Sequence, residues 1–133
     1  MESRAEEAVN KKMCGYNCAQ AVACTYCDLA GMDEDTAKNL NQGFAAGIGG
    51  SMEAVCGALI GAVNTLGMIH KNPQKTMRGS KNMLSAFQEQ NGTIICKELK
   101  GMSDGIVKRS CNDCVKDAAL LLERELREAG MER

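Results

Sequence analysis

Residues 54–63 read AVCGALIGAV, the longest apolar run in the chain, and Asn64 ends it. The segment mixes small side chains, which recur at helical spacing, with larger aliphatic ones. The small residues are Gly57, Ala58, Gly61, Ala62 and Thr65, and the large ones are Leu59, Ile60, Val63 and Leu66. This pattern predicts a buried central helix, opened by Ser51 and spanning about residues 52–69. Its smooth face allows the close approach of either another helix or a prosthetic group.

Helix-start and helix-stop signals place further helices on both sides of this segment. The expected helices run from Ser3 to about Met13, from Asn17 to Leu29, from Asp33 to near Gly43, from Asn72 to Asn91, from Thr93 to Gly101 and from Ser110 to about Ala129. Ser3 with Glu6 has the pattern of a capping box, and Pro73 suits a first helical position. No segment shows a convincing strand alternation. We therefore predict an all-α fold: a compact single-domain bundle of about six or seven helices over residues 1–133, with a buried central Gly/Ala-rich helix.

Composition and charge exclude several classes of function. The net charge is −1, from 16 basic and 17 acidic residues, and the only aromatic residues are two Phe and two Tyr. Nucleic-acid binding needs clustered basic residues and often stacking rings, so we expect none. The acidic N-terminus lacks the basic and apolar regions of a signal peptide, and the apolar run is too short to cross a bilayer. We therefore expect a soluble, cytoplasmic protein without membrane insertion.

The eight cysteines are the unusual feature of the composition. In a small secreted protein they would indicate a disulfide framework. Without an export signal, metal binding or catalytic redox chemistry is the better interpretation. A share of the cysteines is expected to serve only as small buried apolar residues.

Four of the cysteines fall at or near predicted helix starts. They are Cys18 after Asn17, Cys56 about one turn into the fourth helix, Cys96 after Thr93 and Cys111 after Ser110. Free backbone N–H groups and the helix dipole stabilise a thiolate at such positions, which makes it a better ligand or nucleophile. Helical spacing places Cys18 and Cys111 on inward-facing apolar stripes, whereas Cys24 and Cys27 point to the other side of the second helix.

Two Cys-x-x-Cys pairs offer competing interpretations. Cys24 with Cys27 and Cys111 with Cys114 could together supply the four thiolates of a structural zinc site. Either pair could also form a thiol–disulfide couple, although no βαβ pattern surrounds it. His70 is the single histidine, so a Cys–His dyad would have to use it, and we expect it to be exposed.

Several of these elements together resemble a known family. They are GYNCAQAV at residues 15–22, CGALIG at residues 56–61, ICKEL at residues 95–99, and Cys111 before the last helix. With them the chain resembles, over nearly its whole length, the C_GCAxxG_C_C family of redox-active proteins. The resemblance implies a small helical domain with four characteristic cysteines: Cys18, Cys56, Cys96 and Cys111, with Cys114 as the alternative for the fourth. Cys14, Cys24 and Cys27 lie outside that pattern.

The resemblance also implies a cofactor. The family is similar to the cluster-bearing region of split-Soret cytochromes, which implies an iron–sulfur cluster on Cys18, Cys56, Cys96 and Cys111 or Cys114. The chain has no haem-attachment sequence, so the haem of those cytochromes does not carry over.

Three functions follow from these observations. The leading one is a cysteine-ligated iron–sulfur centre for electron transfer or redox sensing. The alternative is metal-free thiol–disulfide chemistry, in which the same cysteines are the redox thiols, and a structural zinc or helical interaction module comes third. The protein would then be either an oxidoreductase or an electron carrier. A redox partner protein is expected, and the oligomeric state is open between monomer and homodimer.

Overall fold

The chain folds into helices, as the capping signals predict. The computed structural model describes residues 2–130, which form seven α-helices and one 3-10 helix. These are α1 (Ala5–Met13), α2 (Cys18–Tyr26) continued by the 3-10 helix (Cys27–Ala30), α3 (Glu34–Leu40), α4 (Gly57–His70), α5 (Pro73–Asn91), α6 (Cys96–Leu99) and α7 (Cys111–Glu128). Within residues 2–130 there is no strand, only an isolated antiparallel bridge between Val55 and Ile95. The all-α prediction is confirmed.

The capping residues predict most helix starts correctly. Four predicted caps accept a backbone N–H with their side chain: Asn17 from Gln20, Asp33 from Thr36, Asn72 from Lys75 and Ser110 from Asp113. The predicted capping box of Ser3 and Glu6 is wrong, because α1 begins after Arg4. Arg4 is fixed by tertiary contacts instead: its backbone N–H donates to Glu123 at 2.7 Å and its guanidinium to Asp28 at 2.6 Å.

The start of the central helix is also corrected. Helix α4 begins at Gly57 and not near residue 52, so Ser51 does not open it and Cys56 is its N-cap. The preceding residues cannot be helical, because Ala46, Ile48 and Met52 have φ angles of 49°, 64° and 63°. Residues 43–55 instead form a glycine-rich loop that turns back on itself through backbone hydrogen bonds, such as Met52 N–H to Ala46 at 2.8 Å.

Helix α4 lies at the centre of the core, as predicted. It packs against α2, α5 and α7, and its buried Leu59 and Leu66 carry the apolar contact. The neighbouring helices contribute Val22, Met83, Phe87, Leu122 and Leu126 to the same core. No helix among residues 2–130, α4 included, has both the length and the apolar character needed to cross a membrane.

Close packing of α2 on α4 explains the small residues of the central helix. A Cβ atom at Gly61 would lie 2.5 Å from the carbonyl oxygen of Ala19 and 3.0 Å from its Cα atom. Only glycine leaves room for the backbone of α2 at this crossing. The smooth face predicted from the sequence is therefore, at Gly61, the contact surface for another helix.

We predict that Gly61→Ala destabilises the protein while Gly67→Ala does not. At Gly67, on the same helix, an added Cβ would meet only the Thr76 methyl group, at an ordinary 3.5 Å. Removing a helical glycine there should raise the free energy of unfolding by up to about 1 kcal/mol. Gly61→Ala should lower it by about 1–3 kcal/mol, because α2 must shift. Urea unfolding measures both, and equal stability of the two variants would contradict the close crossing.

Candidate functional site

The bridge between Val55 and Ile95 brings two distant cysteines together. The Cys56 N–H donates to the carbonyl oxygen of Ile94 at 2.8 Å, and the Cys96 N–H donates to that of Ala54 at 3.0 Å. Cys56 follows Val55 of the bridge and precedes α4, whereas Cys96 follows Ile95 and is the first residue of α6. The relative position of Cys56 and Cys96 is therefore fixed by backbone hydrogen bonds.

A glycine admits the third cysteine. A Cβ atom at Gly57 would lie 2.5 Å from the Sγ atom of Cys18 and 2.4 Å from the carbonyl oxygen of Phe44. Cys18 is the first residue of α2, so the lack of a side chain at Gly57 lets the start of α2 pack against the start of α4. The glycines of the Cys-Gly-Ala-x-x-Gly element thus have separate tasks: Gly57 makes room for Cys18, and Gly61 makes room for Ala19.

Five cysteines line one cavity of about 200 Å³. They are Cys18, Cys56, Cys96, Cys111 and Cys114, which include every cysteine predicted for the site. Four of the five are buried and Cys111 is half-buried. The structure brings Cys111 and Cys114 to the same cavity and so does not single out one of them as the fourth cysteine. The functional role of these thiols stays a prediction.

The other three cysteines lie elsewhere. Cys14 is exposed beyond the end of α1. Cys24 and Cys27 form a small separate cluster with Ala37, where the Cys27 thiol donates to the carbonyl oxygen of Cys24 at 3.4 Å. They face away from Cys18, as helical spacing predicts, and the two Cys-x-x-Cys pairs do not meet to form a zinc site. His70 is half-buried rather than exposed, so that expectation is wrong. It ends α4 while Cys56 precedes that helix, so these two residues do not form a Cys–His dyad.

The thiol cavity lies within the part of the chain that matches a known family. A family model described as "Putative redox-active protein (C_GCAxxG_C_C)" matches residues 16–125. The chain belongs to the C_GCAxxG_C_C family. All five cysteines of the cavity, and both glycines of the central element, fall inside the matched range. No curated protein and no solved structure matches the chain, and similarity to split-Soret cytochromes stays a prediction.

Within the cavity, Cys56 and Cys114 interact and differ in acidity. Interaction with the Cys114 thiol, which lines the same cavity, lowers the pKa of Cys56 to about 7. The free N–H groups of Ala58 and Leu59 act in the same direction, against the effect of burial. The same interaction, together with burial, raises the pKa of Cys114, so Cys114 keeps its proton. Cys56 is therefore the thiolate of this pair.

Burial has the opposite effect on the other two inward cysteines. Desolvation raises the pKa of Cys18, and desolvation with repulsion from Cys56 raises the pKa of Cys96 to about 11. The expectation that a helix start makes each of these cysteines a thiolate is wrong for Cys18 and Cys96, because loss of water outweighs the helix dipole. It holds for Cys56, which is an N-cap rather than a residue inside the helix.

Three lining residues that bear charge or sulfur were missed by the sequence analysis: Lys12, Met52 and Lys100. The Sδ atom of Met52 lies 3.8 Å from the Sγ atom of Cys96. Lys100 was accessible to sequence reasoning, because it follows Cys96 by one helical turn and so shares its face. Met52 was not, because it reaches the cavity through a left-handed backbone conformation.

The donor set fits a sulfur-ligated metal group larger than a single ion. Cysteine thiolates are the ligands of iron–sulfur clusters, and four are needed where five are present. Among residues 2–130, however, no three Cys, His, Asp or Glu side chains are gathered closely enough to hold one metal ion. The thiols surround a cavity instead of meeting at a point, so a single zinc ion fits this arrangement less well.

We predict that Cys56 becomes reactive with a midpoint near pH 7. Its thiolate fraction, and hence its alkylation rate, should rise as the pH passes through its pKa of about 7. Removing the Cys114 thiol in Cys114→Ala should move that midpoint upward toward the ordinary thiol value of about 8.5. Peptide mapping of iodoacetamide-labelled protein follows Cys56 alone, and an unchanged midpoint in the variant would contradict the influence of Cys114 on Cys56.

Proposed function

We propose that the cavity holds an iron–sulfur cluster and that the protein uses it for electron transfer or redox sensing. The family assignment establishes the coarser function, a redox-active protein. One observation carries the finer proposal: five thiols from four separate segments line a common cavity of about 200 Å³. A dithiol site needs only two sulfurs in contact, so the remaining thiols are explained by a group with several metal atoms.

Cys18, Cys56 and Cys96 would supply three ligands, and Cys111 or Cys114 the fourth. When bound, the cluster supplies reversible electron transfer at low cost in structural change. The protein side chains do the rest: the close α2–α4 contact holds Cys18 and Cys56 together, and the glycine-rich loop covers them through Ala45 and Ala46. The walls of the cavity are otherwise largely apolar, which limits access of water to the sulfurs.

Thiol–disulfide chemistry is the second candidate, favoured by the contact between Cys56 and Cys114. The Cys56 thiolate would attack one sulfur of a disulfide substrate, forming a mixed disulfide and releasing the other sulfur as a thiolate. Cys114 would then attack the Cys56 sulfur, releasing the second substrate thiol. The proton of Cys114 passes to a released thiolate, and the two electrons that the protein thiols lose on forming the Cys56–Cys114 disulfide reduce the substrate disulfide to two thiols.

The remaining expectations concern zinc, a partner protein and location. A zinc site built from both Cys-x-x-Cys pairs is not supported, because the pairs lie in different clusters. Electron transfer needs a redox partner protein. The protein would then be an electron carrier or one component of an oxidoreductase. A cytoplasmic location and the absence of nucleic-acid binding are further parts of the proposal.

We predict that protein purified without oxygen contains iron and sulfide and absorbs visible light. Cys56→Ser and Cys96→Ser should lose most of both elements, because each removes a ligand that the backbone bridge holds in place. The double variant Cys24→Ser with Cys27→Ser is the matched control and should retain them, because that pair lies outside the cavity. Loss of iron from the control as complete as from Cys56→Ser would contradict this assignment of ligands.

The two candidate functions give different results in the same preparation. Wild-type protein that remains colourless after anaerobic reconstitution with iron and sulfide would overturn the cluster. In that case we expect a glutathione redox buffer to oxidise the protein to a disulfide between Cys56 and Cys114, found by mapping non-reduced peptides. Cys114→Ser should stop that reaction at the mixed disulfide with glutathione.

A further inference from the structure

Lys100 places a cation among the thiols. It follows α6 directly, one helical turn after Cys96, and it is half-buried at the lining of the cavity. The Cys111 thiol lines the same cavity. The position of the Lys100 backbone is fixed by two features: α6 is short, and the backbone bridge holds Cys96 at its start.

The charge of Lys100 is not balanced by a carboxylate. Within residues 2–130, Lys100 takes part in no salt bridge, and the residues that line the cavity include no Asp or Glu. The neighbouring Lys97 differs, since its ammonium lies 3.0 Å from Glu53 outside the cavity. The thiols are therefore the partners toward which the Lys100 charge is directed, and its partial burial reduces screening by water.

We infer that Lys100 is a positioning residue that raises the reduction potential of the thiol cavity. Reduction makes the cavity more negative, because an electron enters a cluster or a disulfide takes up two electrons and one proton to give a thiol and a thiolate. A fixed cation at the lining stabilises that more negative state more than the oxidised one. The inference rests on the proposed redox function and applies to both candidate redox groups.

The test is a redox titration that compares the midpoint potential of the Lys100→Met variant with that of the wild-type protein. We expect the ratio of reduced to oxidised protein, at a fixed potential, to fall about tenfold. That equals a decrease of about 59 mV for a one-electron cluster or about 30 mV for a two-electron dithiol. Lys100→Arg keeps the charge and should restore most of the potential. Lys97→Met removes an equivalent lysine outside the cavity and should leave the potential unchanged.

Each outcome decides a different statement. A Lys100→Met potential equal to that of wild type overturns the inference and leaves the proposed function intact, because the wild-type couple still titrates. A shift that Lys97→Met reproduces also overturns it, since the effect is then one of general surface charge. If wild type shows neither a cluster nor a dithiol couple, the proposed redox group fails and the role of Lys100 fails with it. Lys100→Gln is a second variant that removes the charge. Circular dichroism of this variant and of Lys100→Met shows whether each folds as wild type does, which separates loss of charge from misfolding.

Discussion

The close contact between the start of α2 and the start of α4 is the constraint on which the rest of the structure depends. Two glycines permit it: Gly57 against the sulfur of Cys18, and Gly61 against the backbone of Ala19. Any side chain at either position would separate the two helices. Separation would move Cys18 away from Cys56 and would open the apolar core around Leu59. Fold and thiol cavity therefore have the same steric requirement.

The backbone bridge between Val55 and Ile95 adds the second half of the site. It joins the loop before α4 to the segment before α6, so two helix starts lie side by side. Helix α7 begins at Cys111 and supplies the remaining thiols. Helix starts have free N–H groups, and here they meet around a cavity from which water is partly excluded. The resulting thiols differ in acidity, because hydrogen bonding lowers the pKa of Cys56 whereas burial raises the pKa of Cys18 and of Cys96.

Sequence reasoning succeeded where local chemistry decides the structure. Asn72 with Pro73, and Ser110, mark helix starts through their own side chains, and the spacing of the cysteines separated Cys24 and Cys27 from the site. It failed where distant parts of the chain decide. The true start of α4 depends on left-handed turns in the loop before it, and the start of α1 depends on the contact of Arg4 with Glu123. The contact between Cys56 and Cys114 joins two helices and has no local signal.

The bridge has a consequence for the order of folding and cofactor loading. Cys56 and Cys96 are held by backbone hydrogen bonds, and Cys18 by helix packing, so these three residues do not depend on a metal for their place. Small zinc domains are different, because metal binding there supplies the free energy of folding. In this chain the protein itself sets the places of these three thiols. Exchange of the proposed bound group would therefore leave the scaffold folded.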